Sequence, residues 1–218
     1  MLQIIRESKY EHIENFVLYG ERHSGTKFLQ QSLECYNITP TGYFGNKHWM
    51  GYANANRIKF ARHTLFICII RNPYQWLSAF MNNPHHVPRH NRKWQSFLTN
   101  EWYSIGNNKE EILHDRNFYD ITNNRYRNVI HLRNTKNQYM FYDLPLIAKN
   151  YVFVTYETLI KNHIQIMNLI RDKFMLQQKS NLPTANHPIL RKVPSVHMDF
   201  VNSNLNWEIE NGMGFYKE

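Results

Sequence analysis

Cysteine is nearly absent from this chain of 218 residues, which contains Cys35 and Cys68 and no others. Two cysteines cannot build a disulfide framework, and without a CxxC pair there is no thiolate metal site. Cys68 lies inside an apolar run and reads as a small core residue rather than a nucleophile. Long hydrophobic runs are missing as well. The longest, Leu65 to Ile70, ends at Arg71, far short of the ~20 apolar residues that cross a bilayer. The start, MLQIIRESKYEHIEN, mixes charges of both signs and has no apolar signal-peptide stretch. The expectation is a soluble cytoplasmic protein without a membrane span. No repeat, low-complexity tract or linker interrupts the chain, so one domain over 1–218 is expected, with oligomeric state unreadable.

What is present is a globular composition, 42% hydrophobic and 15% aromatic, carrying a formal charge of +9. That charge predicts an anionic partner: a nucleotide, an acidic glycan, nucleic acid or a lipid head group. Three apolar segments read as buried strands that lead into helices. Phe16–Tyr19 precedes a helical pattern over Thr26–Cys35. Thr64–Ile70 precedes, after Pro73, the amphipathic stretch Tyr74–Met81. Tyr151–Tyr156 precedes Leu159–Met175, whose Ile160, Ile164, Met167 and Ile170 recur at helical spacing. Strands without alternation, each followed by a helix, predict an α/β fold with a mostly parallel central sheet covered on both faces. Ligands of such sheets bind at the carboxyl ends of the strands, so function is expected just after Tyr19 and just after Ile70. The stretch 83–128 reads as loop and short helices, in the position of an acceptor-binding insertion or lid.

Gly20-Glu21-Arg22-His23-Ser24-Gly25-Thr26-Lys27 joins the first strand to its helix. Two glycines permit tight turns, and a helix start aims N–H groups and a positive dipole end at an anion. Arg22, His23 and Lys27 add cationic donors, and Ser24 and Thr26 add hydroxyls. An ATP or GTP loop would end Gly-Lys-Ser/Thr, whereas this one ends Gly-Thr-Lys. Such a site also wants an Asp at a strand end for Mg²⁺, and the second strand ends instead in Arg71. Both features count against a kinase or NTPase. Arg71, at a strand's carboxyl end, and Ser78, two turns along the next helix, form a candidate second phosphate site.

Taken in order, GERHSGTKFL, CIIRNPYQWLSAF, YVFVTYETLIKN and NWEIENGMGFY resemble the sulfotransferases that use 3′-phosphoadenosine 5′-phosphosulfate (PAPS). The resemblance implies a P-loop-NTPase-like, three-layer sulfotransferase fold and transfer of a sulfuryl group to a hydroxyl or amine, with PAPS as donor, adenosine 3′,5′-bisphosphate (PAP) as product and no metal. The acceptor would be a small molecule or a glycan. It implies a 5′-phosphosulfate cradle over Arg22, His23, Ser24, Gly25, Thr26 and Lys27, and a 3′-phosphate site at Arg71 and Ser78, closed by Arg191 and Lys192. Lys47-His48 is similar to the family's K-x-H segment, which makes His48 the candidate base and Lys47 a donor to the phosphosulfate. His23 stands where the family has Lys or Arg beside the bridging oxygen, and so joins the catalytic candidates. Ser78 follows Arg71 one residue sooner than in the family, a shift of about 100° around a helix. RKVPS lacks the glycine of the family's R-K-G segment.

Three rival readings carry their own expectations. A phosphotransferase predicts Mg²⁺ dependence. A nucleic-acid-binding module needs basic residues interleaved with aromatics on one surface; NNRYRNVIHLRNTKNQY has that composition and reads equally as one solvated helix. A degenerate sulfotransferase that only binds nucleotide is favoured by His23. Nucleic acid is not the expected partner.

Overall fold

Burial on both faces decides which strands lie at the centre of the fold. The computed structural model describes residues 1–6, 12–50, 55–185 and 192–218. In chain order the first elements are β1 (Leu2–Arg6), β2 (Asn15–Tyr19), α1 (Thr26–Leu33), β3 (Thr39–Pro40), β4 (Gly45–Asn46), β5 (Trp49–Met50), α2 (Ala55–Ile58) and β6 (Thr64–Ile70). After them come α3 (Pro73–Asn82), α4 (Trp94–Thr99), α5 (Val129–Gln138) and β7 (Asn150–Thr155). The chain finishes with α6 (Tyr156–Lys161), α7 (His163–Phe174), α8 (Met198–Asn204) and α9 (Trp207–Gly212). Every residue of β6 and β7 is buried, which is why neither sequence alternates.

The chain divides into two compact units, Met1–Asn72 with Met140–Pro188, and Pro73–Tyr139 with Ile189–Glu218. The first holds a five-stranded mixed sheet in the order β1-β7-β6-β2-β3, flanked by helices. β2, β3, β6 and β7 run parallel and β1 pairs antiparallel with β7. The antiparallel edge departs from a sheet read from its parallel strands alone. Leu2 to Arg6 is only partly buried and pairs with β7 alone, so its sequence carries no unbroken apolar run. On one face Phe16 and Leu18, Leu65, Ile67 and Ile69, and Val152 and Val154 pack against α1, α6 and α7 through Leu29, Leu33, Leu159, Met167 and Ile170. On the other, Phe44 meets Phe66 edge-on at 5.1 Å and Phe141 meets Phe153 at 5.0 Å. Cys68 is fully buried there, and burial pushes its thiol far up, as befits an inert core residue.

Two sequence expectations need correction. The long helix over Leu159–Met175 is two helices broken at Asn162, whose φ of −128° is not helical. Tyr156 starts α6 rather than ending β7, because the Thr155 side chain accepts the Thr158 N–H as an N-cap.

The second unit packs α3, α4, α5 and α8 around Trp76, Phe80, Phe97, Trp102, Ile130 and Leu132, and it contains the whole stretch 83–128. Its α5 is not the solvated helix its charges suggested. Val129, Ile130, Leu132, Arg133 and Lys136 are all buried. The two cations are tolerated because each meets a buried carboxylate: Arg133 donates from Nε and Nη2 to Glu210 at 2.6 and 2.8 Å, and Lys136 pairs with Asp115. No helix among the described residues is long and apolar enough to cross a membrane.

Removing one partner of a buried pair strands the other charge, at a cost of about 3–5 kcal/mol. Glu210→Ala is therefore expected to destabilise the protein by that amount in urea unfolding. A Glu210→Ala, Arg133→Met double variant should recover most of the loss.

Candidate functional site

Strand order places the site. From β2 the chain steps to β3 on one side, then crosses to β6 on the other, so the order reverses between β2 and β6. A crevice opens at the carboxyl ends of two strands where such a reversal occurs. The loop Gly20–Lys27 and Arg71 both emerge there.

The loop is held from several sides. Gly20 donates its N–H to Lys47 O at 2.9 Å. A Cβ on Gly20 would lie 2.6 Å from Ile69 O, so only glycine lets β2 and β6 stay paired at this point. His23 and Gly25 adopt left-handed backbone, with φ of 64° and 92°. For histidine that conformation is strained and has to be over-determined by its surroundings. Arg71 provides part of that support by donating from Nη1 to His23 O at 3.2 Å. Gly25 is the N-cap of α1 and offers no side-chain cap, and no acidic residue occupies the first turn. The start of α1 thus has no side-chain cap and no carboxylate against its positive dipole end.

The cations divide into two kinds. Lys27 is exposed, while Arg22 and Glu21 are only 2% and 5% exposed and bind each other. Glu21 Oε1 accepts both the Arg22 N–H and Nη1, each at 2.8 Å. The loop therefore carries its own counter-ion, and Arg22 enters the site already neutralised. Arg71 is 6% exposed and lies 4.3 Å over the Tyr156 ring. Burial lowers its pKa, and Tyr156 and Glu157 push the other way. A guanidinium remains charged despite such a shift, so Arg71 is a desolvated cation that an anion would stabilise.

His48 lies at the same strand end. Its Nδ1 is 2.8 Å from Gly20 O. A carbonyl only accepts, so in the neutral ring Nδ1 carries the proton and Nε2 is the basic nitrogen. The turn before it is fixed by the His48 N–H donating to Asn46 Oδ1 at 3.3 Å.

Residues Gly20 to Lys27, Lys47, His48 and Arg71 are thus gathered in the first unit. Ser78 is buried in α3 of the second unit, at 2% exposure, and Lys192 is an exposed residue of that unit. Arg191 lies outside the described residues. Three residues of the site were not singled out from the sequence. Tyr156 packs on Gly25 and carries Arg71. Glu157 Oε1 accepts the Asn72 N–H at 2.9 Å and ties the exits of β6 and β7 together. Glu21 neutralises Arg22. The first two stand in the segment YVFVTYETLIKN, directly after a strand, which was the available signal. Glu21 had only its place in the loop.

A Cβ on Gly25 would sit 2.5 Å from Tyr156 Cδ2, and left-handed backbone costs a non-glycine residue about 1–2 kcal/mol. Gly25→Ala is expected to destabilise by more than that backbone cost alone. In a double-mutant cycle with Tyr156→Ala, the excess should disappear as a coupling of about 1 kcal/mol or more. Strict additivity would show that the ring does not press on the loop. No protein-family model matches the chain, and a search of curated proteins finds no match either.

Proposed function

We propose that this protein is a PAPS-dependent sulfotransferase, whose mixed sheet is a variant of the P-loop-like sulfotransferase fold. The observation that carries the reading is the adjacency of two anion-holding centres, tied by the hydrogen bond from Arg71 to His23 O. One is the uncapped start of α1 with its loop and the other is the desolvated guanidinium of Arg71. A donor that bears one anionic group at each end matches such a pair. The fit is supported by the start of α1, which has no side-chain cap and no acidic residue in its first turn, and by a donor set of N–H groups, hydroxyls and cations.

When bound, PAPS supplies the sulfuryl group and leaves as PAP. The residues that would hold it are Ser24, Gly25, Thr26 and Lys27 at the 5′ end and Arg71 at the 3′-phosphate. Tyr156 keeps the guanidinium of Arg71 flat and in place. His48 takes the proton of the acceptor hydroxyl on Nε2, and its Nδ1–H bond to Gly20 O holds the ring in the tautomer this requires. Lys47 and His23 supply positive charge near the loop as negative charge develops on the departing phosphate. A metal-dependent phosphotransferase would instead need a carboxylate at a strand end for Mg²⁺.

Two substitutions separate binding from chemistry. Arg71→Ala should weaken PAP at least tenfold, and Arg71→Lys should restore only part of that, because lysine neither forks nor stacks as arginine does. His48→Ala should leave PAP affinity within about threefold while lowering PAPS-dependent turnover roughly 10²–10⁴-fold. Unchanged PAP binding in Arg71→Ala would refute the site. A loss below about tenfold in His48→Ala would remove His48 as the base.

A further inference from the structure

Beside the anion crevice, on the far edge of β2, lies a pocket of about 300 Å³ whose lining includes Leu18, Gln30, Thr41, Gly42, Asn46 and Lys47. It exists because β3 is short. β3 pairs with β2 only at Asn15 and Phe16, and the chain then bends away through Gly42 and Gly45. Phe16 O accepts the Thr41 N–H and Gly20 N–H donates to Lys47 O, both at 2.9 Å. Even-numbered residues of β2 therefore direct their backbone groups to this edge, and alternation places the N–H and C=O of Leu18 there too. No backbone hydrogen bond from the described residues 39–47 reaches Leu18. A gap in the ladder thus leaves a donor and an acceptor side by side, ringed by two amides, a hydroxyl and an ammonium.

We propose that this pocket is the acceptor subsite for one sugar ring of an acidic oligosaccharide, an inference that rests on the sulfotransferase reading above. Each hydroxyl of a sugar both donates and accepts, and so matches the paired groups of Leu18 and the amides of Gln30 and Asn46. The hydrocarbon body of a steroid would leave the N–H and C=O of Leu18 unpaired at a cost, whereas Gln30 Nε2 already donates to Glu34 and Asn46 Oδ1 already accepts the His48 N–H. The volume is at the small end of ligand sites, which span about 300–1,000 Å³, and so suits a single ring. Lys47 supplies the charge that selects a carboxylate-bearing ring. His48 follows Lys47 directly, so a saccharide seated here extends along the turn that carries the base.

The test is a ligand-observed NMR titration of the intact protein, without PAPS, using glucuronate and glucose. Glucuronate should bind in the millimolar range, about fivefold tighter than glucose, the worth of one exposed ion pair. Lys47→Gln should erase that difference. Gly42→Leu adds a bulky side chain at the pocket's lining, and a Cβ there meets nothing within 4 Å. It should abolish saccharide binding and leave PAP titration unchanged. PAP binding without saccharide binding, or saccharide binding unaffected by Gly42→Leu, would overturn the subsite and leave the donor reading intact. Saccharide binding without PAP binding would overturn it as an acceptor site, because the donor reading would then have failed.

Discussion

The parallel pairing of β2 with β6 is the constraint on which the site depends. Their register sets Tyr19 against Cys68, which brings Gly20 against Ile69 with no room for a side chain. β6 continues while β2 has already turned into its loop. At about 3.3 Å per residue, Ile70 and Arg71 carry that strand past the turn, so Arg71 overhangs the loop and reaches His23 O. β7 pairs on the other side of β6 up to Ile70 and Thr155. The following Tyr156 is thereby delivered both to Gly25 and to the underside of Arg71. Three strand ends in one register make one site.

Electrostatics then distributes the charge along that frame. A sheet buried on both faces cannot hold unpaired ions, and the structure meets this in two ways. Arg22 is cancelled inside the loop by Glu21, and in the second unit Arg133 and Lys136 are cancelled by Glu210 and Asp115. Such pairs fix geometry more than they add stability. The contacts of Arg71 include the Tyr156 ring and the His23 carbonyl, and Glu157 acts on it through its charge. Part of the charge of +9 is thus cancelled inside the fold, at Arg22, Arg133 and Lys136.

Much of this was legible in the sequence. β6 was read to the residue, because seven consecutive buried positions leave an unbroken apolar run ending in a cation. The turn from β2 into α1 was legible from its glycines, and Lys47-His48 was singled out from its place between that turn and β6, where the structure sets His48 against Gly20 O. What escaped depended on contacts distant in sequence. β1 is a strand only because β7 pairs with it. The buried face of α5 could not be inferred from its own charges, since Glu210 and Asp115 that answer them are far away in the chain. The break at Asn162 lacked the glycine or proline that usually marks one.

The central claim is that the crevice holds a nucleotide carrying an anion at each end without the help of a metal. The most direct measurement is isothermal titration of the protein with PAP in EDTA, beside adenosine 5′-phosphate in EDTA and ATP with Mg²⁺. The account predicts micromolar PAP binding, at least tenfold weaker binding of adenosine 5′-phosphate, which lacks the group assigned to Arg71, and no comparable binding of ATP with Mg²⁺. Equal affinity for PAP and adenosine 5′-phosphate, or tight binding confined to ATP with Mg²⁺, would contradict it.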